Sequence, residues 1–130
     1  MINDPVRLND AASALELIAQ PPAWLEGAAG VPRGPAFQVN VTTEDNQRDA
    51  AVAMDANGNF AVVWEANDLD DLGVYFRRFD ANGTPLTGEV RVNGETRYTQ
   101  EQADIAMDSQ GNAVIVWVDM LTIGWGISGR

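Results

Sequence analysis

The chain contains no cysteine, no histidine and no lysine, so all eight of its basic residues are arginine. Without cysteine there can be no disulfide, no thiolate nucleophile and no Cys-based zinc site. Without histidine the usual general base at neutral pH is missing, as is the commonest transition-metal ligand. Positive charge is scarce as well: nineteen acidic residues leave a formal net charge of -11. Such a surface repels nucleic acid and anionic lipid, because binding them requires cations set against phosphates. Neither nucleic acid nor membrane insertion is therefore expected, and no run approaches the roughly 18 apolar residues of a membrane span. The opening Met1-Ile2-Asn3-Asp4-Pro5 lacks the basic region and apolar stretch of a secretory signal. The expectation is a cytoplasmic protein, export by another route, or a piece of a longer chain.

What is present is a repeat. Val39-Asn40 recurs as Val92-Asn93, 53 residues on, and the same offset pairs Thr43 with Thr96, Gln47 with Gln100 and Ala50 with Ala103. It continues through Met54/Met107, Asp55/Asp108, Gly58/Gly111, Asn59/Asn112 and Trp64/Trp117, and it still holds at Gly73/Gly126 and Arg77/Arg130. No insertion is needed. Self-similarity at such a period is the signature of repeat architectures.

Each repeat reads as short strands divided by turns. Ala50-Ala51-Val52-Ala53-Met54 is rich in small residues, which suits a tightly packed strand. Asn57-Gly58 then supplies the φ > 0 conformations of a hairpin turn. Phe60-Ala61-Val62-Val63-Trp64 is apolar on both faces and is expected to be covered on both sides. After an acidic loop, Val74–Phe79 forms a third strand that ends in the turn Asp80-Ala81-Asn82-Gly83. The fourth, Glu89–Asn93, alternates polar with apolar like an outer strand with one wet face. Four antiparallel strands in about 50 residues is the unit of a β-propeller blade. The expected fold class is all-β, with propeller-like four-stranded antiparallel blades in two tandem repeats, the second incomplete. A single blade cannot bury both faces, so it needs neighbours.

The expected organisation is residues 1–36 as an N-terminal strand, helix and linker, 37–93 as the first repeat and 94–130 as the second. Asp10 suits the cap of a short helix over residues 11–20, which Pro21-Pro22 would stop. Val6-Arg7-Leu8-Asn9 resembles Val90-Arg91-Val92-Asn93. Because Arg130 falls inside the third strand of the second repeat, Val6–Asn9 of this chain or a neighbour is a candidate for the missing fourth.

The residues that carry the pattern are Val52-Ala53-Met54-Asp55, Gly58-Asn59-Phe60, Val62-Val63-Trp64, the run from Gly73 to Gly83, and Gly88-Glu89-Val90-Arg91-Val92-Asn93. Together they resemble a repeat of large bacterial surface and secreted proteins, many of them long, acidic, calcium-associated, adhesin-like or type I-secreted. The resemblance spans Phe37 to Arg130. It implies blade-type sheets and an extracellular or cell-surface setting, and it implies no single activity, because function lives in sites and not in folds.

Calcium is the ligand with a physical case, since it takes six to eight oxygens from carboxylates, amides and backbone. Asn67, Asp68, Asp70 and Asp71 put three carboxylates and an amide within five residues. The second copy replaces them with Met120-Leu121-Thr122-Ile123-Gly124 and lacks the acids. Asp55–Asn59 and Asp80–Gly83 open like calcium loops. The position six beyond the glycine is Trp64 in the first; in the second it is Glu89, with Pro85 intervening. Tight turns also use Asp, Asn and Gly for their own hydrogen bonds. Trp64 and Trp117 share a repeat position and read as core, whereas Trp24 and Trp125 fall outside it, and an exposed pair could stack on a sugar. Arg77 and Arg130 read as inter-strand or inter-blade ion pairs. The function expected is a non-enzymatic structural or interaction module that forms a homo-oligomer or belongs to a larger repeat protein. A glycan-binding module is the alternative, and a glycoside hydrolase fragment, needing two tuned carboxylates, is the third reading.

Overall fold

The structure, a computed structural model, describes residues 34–67 and 71–130. The chain divides into two units, residues 1–37 and 38–130. Of the first unit only residues 34–37 are described, and they form neither helix nor strand. The expected helix over residues 11–20 and the expected Val6–Asn9 strand lie outside the described residues.

The second unit is all-β. Four strands, β1 (Gln47–Met54), β2 (Phe60–Asn67), β3 (Leu72–Phe79) and β4 (Val90–Arg91), form an antiparallel sheet in chain order. Three more, β5 (Gln100–Met107), β6 (Ala113–Leu121) and β7 (Gly124–Gly129), form a second antiparallel sheet, also in chain order. Among the described residues there is no helix.

The sequence repeat is also a backbone repeat. β5 begins and ends 53 residues after β1, and both strands shift register at the same place, between Arg48 and Ala51 and between Glu101 and Asp104. The bulges hold Asp49 at φ 51° and Gln102 at φ 56°. Asp45 (φ 58°) and Tyr98 (φ 61°) form a second pair at the same spacing. A left-handed backbone costs a non-glycine residue about 1–2 kcal/mol. Two matched pairs therefore mark a shape built into the repeat.

The two sheets meet through their inner faces. Ala61, Val63, Val74 and Val92 of the first sheet's repeat pack with Ile105, Ile115 and Trp117 of the second. Ala51 and Ala53 lie against the same core, where their small side chains let β5 come close. Each fully buried valine contributes about 1.5–3 kcal/mol. On the outer face of the first sheet Val62, Trp64, Ala66 and Phe79 form a second buried cluster. There Phe60 stacks on Phe79 at 5.1 Å and Trp64 on Tyr75 at 6.4 Å. β2 is thus buried on both faces, as its unbroken apolar run predicts.

β4 is shorter than its sequence suggests. Only Val90 and Arg91 pair as strand, while Val92 and Asn93 turn inward and are buried. The backbone pairing is continued by other means. Val92 donates its N–H to the Val74 carbonyl at 2.7 Å, and the Asn93 side-chain oxygen accepts the Val74 N–H at 2.9 Å. The amide takes the place of a strand carbonyl.

Candidate interaction site

The oxygen-rich turns spend their carboxylates on themselves. Asp55 Oδ1 accepts the N–H groups of Asn57 and Asn59 at 2.8 and 3.0 Å, and its Oδ2 accepts the Asn59 side-chain amide at 2.9 Å. Asp108 repeats the arrangement with Gln110 and Asn112. Asp80 does the same with Asn82 and Thr84. The bond from the Asn59 amide, helped by the two backbone N–H groups, lowers the Asp55 pKa against the burial that would raise it. The Asn112 amide lowers that of Asp108, and the Thr84 N–H that of Asp80. These carboxylates serve their own turns, as Asp in tight turns commonly does. Gly58 and Gly111, at φ 86° and 88°, provide the left-handed residue that two of these turns need.

The four-residue acidic set is only half described. Asn67 ends β2, and Asp71 precedes β3 and accepts a hydrogen bond from the Thr99 hydroxyl. Asp68 and Asp70 lie outside the described residues.

Polar groups lock the sheets at defined points. Glu65, 1% exposed, accepts the Gln102 N–H from the other sheet and the Arg48 Nε–H at 3.2 Å from its own. Arg78 donates to the Gly111 carbonyl at 2.9 Å, again across the sheets. Arg77 and Arg130 make a matched pair of bonds: Arg77 to the Val39 carbonyl at 3.0 Å, Arg130 to the Val92 carbonyl at 3.1 Å. Among the described residues these arginines bond backbone carbonyls where ion pairs were expected. Beside this joint Asn93 donates to Gln100, whose amide bonds the Arg97 carbonyl and the Asp119 carboxylate. Ser128 donates to the other Asp119 oxygen. Asn93 and Gln100 had a sequence signal, their recurrence from Asn40 and Gln47, but nothing in it specified a buried network. Glu65 had none, since Val118 stands at its repeat position.

In the first repeat the same positions border a cavity of about 200 Å3, which Asn40, Gln47 and Trp64 help to line. The Gln47 side-chain oxygen and the Trp64 Nε1 are buried there without a hydrogen-bond partner among the described residues. Asn40 still bonds the Thr42 carbonyl and Gln47 the Glu44 carbonyl, as Asn93 and Gln100 bond Glu95 and Arg97. A cleft of about 570 Å3 also runs between the sheets, with Arg78, Arg91 and Arg130 in its walls and no acid.

The outer face of the second sheet is the largest departure from symmetry. β6 turns Ile115, Trp117 and Asp119 to the core and leaves Val114, Val116 and Met120 exposed. Trp125 and Ile127 of β7 lie opposite Met120 and Val118 and extend the apolar surface. These positions correspond to the buried inner face of the first sheet. Ile127 is 76% exposed where Val74 is 0%, and Trp125 is 59% exposed where Leu72 is 8%. Trp64 and Trp117 are core residues as expected, and Trp24 lies outside the described residues. No family model, curated protein or solved structure matches the chain.

Proposed function

We propose that the chain is a non-enzymatic structural and interaction module of a bacterial secreted or cell-surface protein, assembling through blade-type sheets of the propeller kind. The observation that carries this reading is the exposed outer face of the second sheet. Its counterpart in the first repeat is buried by a neighbouring sheet, and contiguous apolar surface of this kind marks interaction sites. Calcium held by Asn67, Asp68, Asp70 and Asp71 would stiffen the β2–β3 loop by neutralising its acids. Light scattering over a range of concentrations tests assembly: a mass that rises above 14.0 kDa supports it, and a constant monomer mass argues against it. Calorimetry with calcium against a chelated control tests the metal, with absence of heat and of any melting shift counting against it.

Glycan binding is favoured by one observation, the exposed Trp125, whose indole could stack on a sugar ring. Loss of glycan-array binding on Trp125→Ala would support that reading. The equivalence of Trp125 with buried Leu72 favours sheet packing.

A further inference from the structure

The contact between the two sheets is a head-to-tail contact between two copies of one repeat. The inner face of the first sheet receives the next repeat through three features. Val92-Asn93 lies along β3, with Val92 N–H on the Val74 carbonyl and the Asn93 oxygen on the Val74 N–H. β5 crosses β1, β2 and β3, driving Ile105 and Met107 into the core. The arginine of the incoming repeat, Arg130, then fastens the Val92 carbonyl from behind.

Val92-Asn93, β5 and Arg130 each have a counterpart 53 residues earlier that is at least partly accessible. Val39-Asn40 is the counterpart of Val92-Asn93, is half-buried, and is already fastened by Arg77 as Val92 is by Arg130. Val52 and Met54 of β1 are the counterparts of Ile105 and Met107, yet Val52 is 61% exposed where Ile105 is 9%. Of the receiving face, Val74, Ala61 and Val63 have apolar counterparts 53 residues later, while Glu65 is replaced there by Val118. β7 is the edge strand of its sheet, with Ile127 at the position of Val74, and Val114 and Val116 stand where Ala61 and Val63 stand. Val62 and Trp64 are buried, so the part of the first sheet's outer face open to a partner is the rim formed by Val39, Asn40, Val52 and Met54.

From this matching we infer that a second copy of the chain docks head to tail on the first. Its Val39-Asn40 lies along β7, with Val39 N–H on the Ile127 carbonyl and the Asn40 oxygen on the Ile127 N–H. Its β1 crosses the exposed outer face, placing Val52 on Val114 and Val116. The inference rests on the reading of the chain as a module that assembles through its sheets, and it specifies the faces and the register. The contact is heterologous, so it repeats from copy to copy until a ring closes or a filament grows.

The absence of native cysteine makes the register testable by pairs of single-cysteine variants, because a disulfide forms only where Cα atoms come within about 7 Å. A Val39→Cys chain mixed with an Ile127→Cys chain should give a disulfide-linked dimer that neither variant gives alone. Val52→Cys mixed with Val114→Cys should do the same, and all four sites are at least partly exposed, so circular dichroism should match the parent. Association of the parent with neither mixed dimer overturns the inference and leaves the assembly reading standing. Efficient self-linking of Ile127→Cys overturns it in favour of a back-to-back pair. A parent that stays monomeric at every concentration overturns both.

Discussion

Gln102 of β5 donates its backbone N–H to Glu65 of β2, and it does so from a left-handed backbone at φ 56°. The bulge aims the N–H out of its own sheet, and the buried carboxylate is the acceptor that meets it. Strain in one sheet is thus used to make contact with the other. Removing the acceptor should leave a buried donor unsatisfied. Glu65→Ala is expected to lower stability by about 1–3 kcal/mol. Glu65→Gln should cost less, since it keeps an acceptor and Arg48 is half-exposed, so its ion pair adds little. Urea denaturation of the two variants decides the point. Equal losses would mean that charge, not acceptance, matters.

Arg77 joins three things at once. It bonds the carbonyls of Val39 and Thr87, at 3.0 and 3.1 Å, and lies 5.4 Å from the centre of the Phe79 ring. Lysine cannot reproduce a forked donor with a stacking face. Arg77→Lys should cost about 1–2 kcal/mol, and Arg91→Lys, on the exposed β4, close to nothing. Matching melting temperatures for the two variants would disprove the assignment.

The turns should make the fold acid-sensitive. Asp55, Asp80 and Asp108 all have lowered pKa values in the folded chain, so around pH 4 the unfolded chain binds more protons. The stabilisation is fully present above the ordinary value of 3.8 and is lost as pH falls below it, through the folded values. Thermal melts from pH 7 to pH 3 should show a drop below about pH 4, flattened in an Asp55→Asn, Asp108→Asn double variant. An unchanged slope in that variant would show that other acids govern the drop.

Gly111 should accept a side chain only at a cost. At φ 88° a Cβ would lie 3.1 Å from Arg78 Nη2 and 3.2 Å from Asp55 Oδ2, at the point where the sheets are stitched together. Gly111→Ala is expected to cost about 1–2 kcal/mol from the backbone alone, whereas Gly88, with nothing within 4 Å of a Cβ, should accept alanine with little change. Calorimetric melts of both variants provide the comparison.

Much of this architecture can be read from residues. The 53-residue offset anticipates two sheets of matching strands, and Asn57-Gly58 and Asn82-Gly83 mark turns that the structure contains. The two-sided burial of β2 follows from Phe60–Trp64 being apolar at every position. What escapes the sequence is long-range geometry. Asp49 and Gln102 are ordinary polar residues with no preference for a left-handed backbone strong enough to announce a bulge. Glu65 lies at the end of an apolar run and gives no sign that its carboxylate crosses to the other sheet. Arg77 and Arg130 recur as an acid-seeking pair would, yet their partners are carbonyls, which no composition reveals.

The self-contained turns have a consequence for how the chain folds. Asp55 and Asp108 close their hairpins with bonds spanning two to four residues, whereas Glu65 and Gln102 are 37 residues apart. Short loops close at little entropic cost and long ones at more. Each hairpin can therefore form on its own, and joining the sheets is the late, slow event. Until it happens, the inner face of the first sheet is as bare as the outer face of the second. During that interval a neighbouring chain competes with the chain's own second repeat for the same surface, so refolding yield should fall as concentration rises.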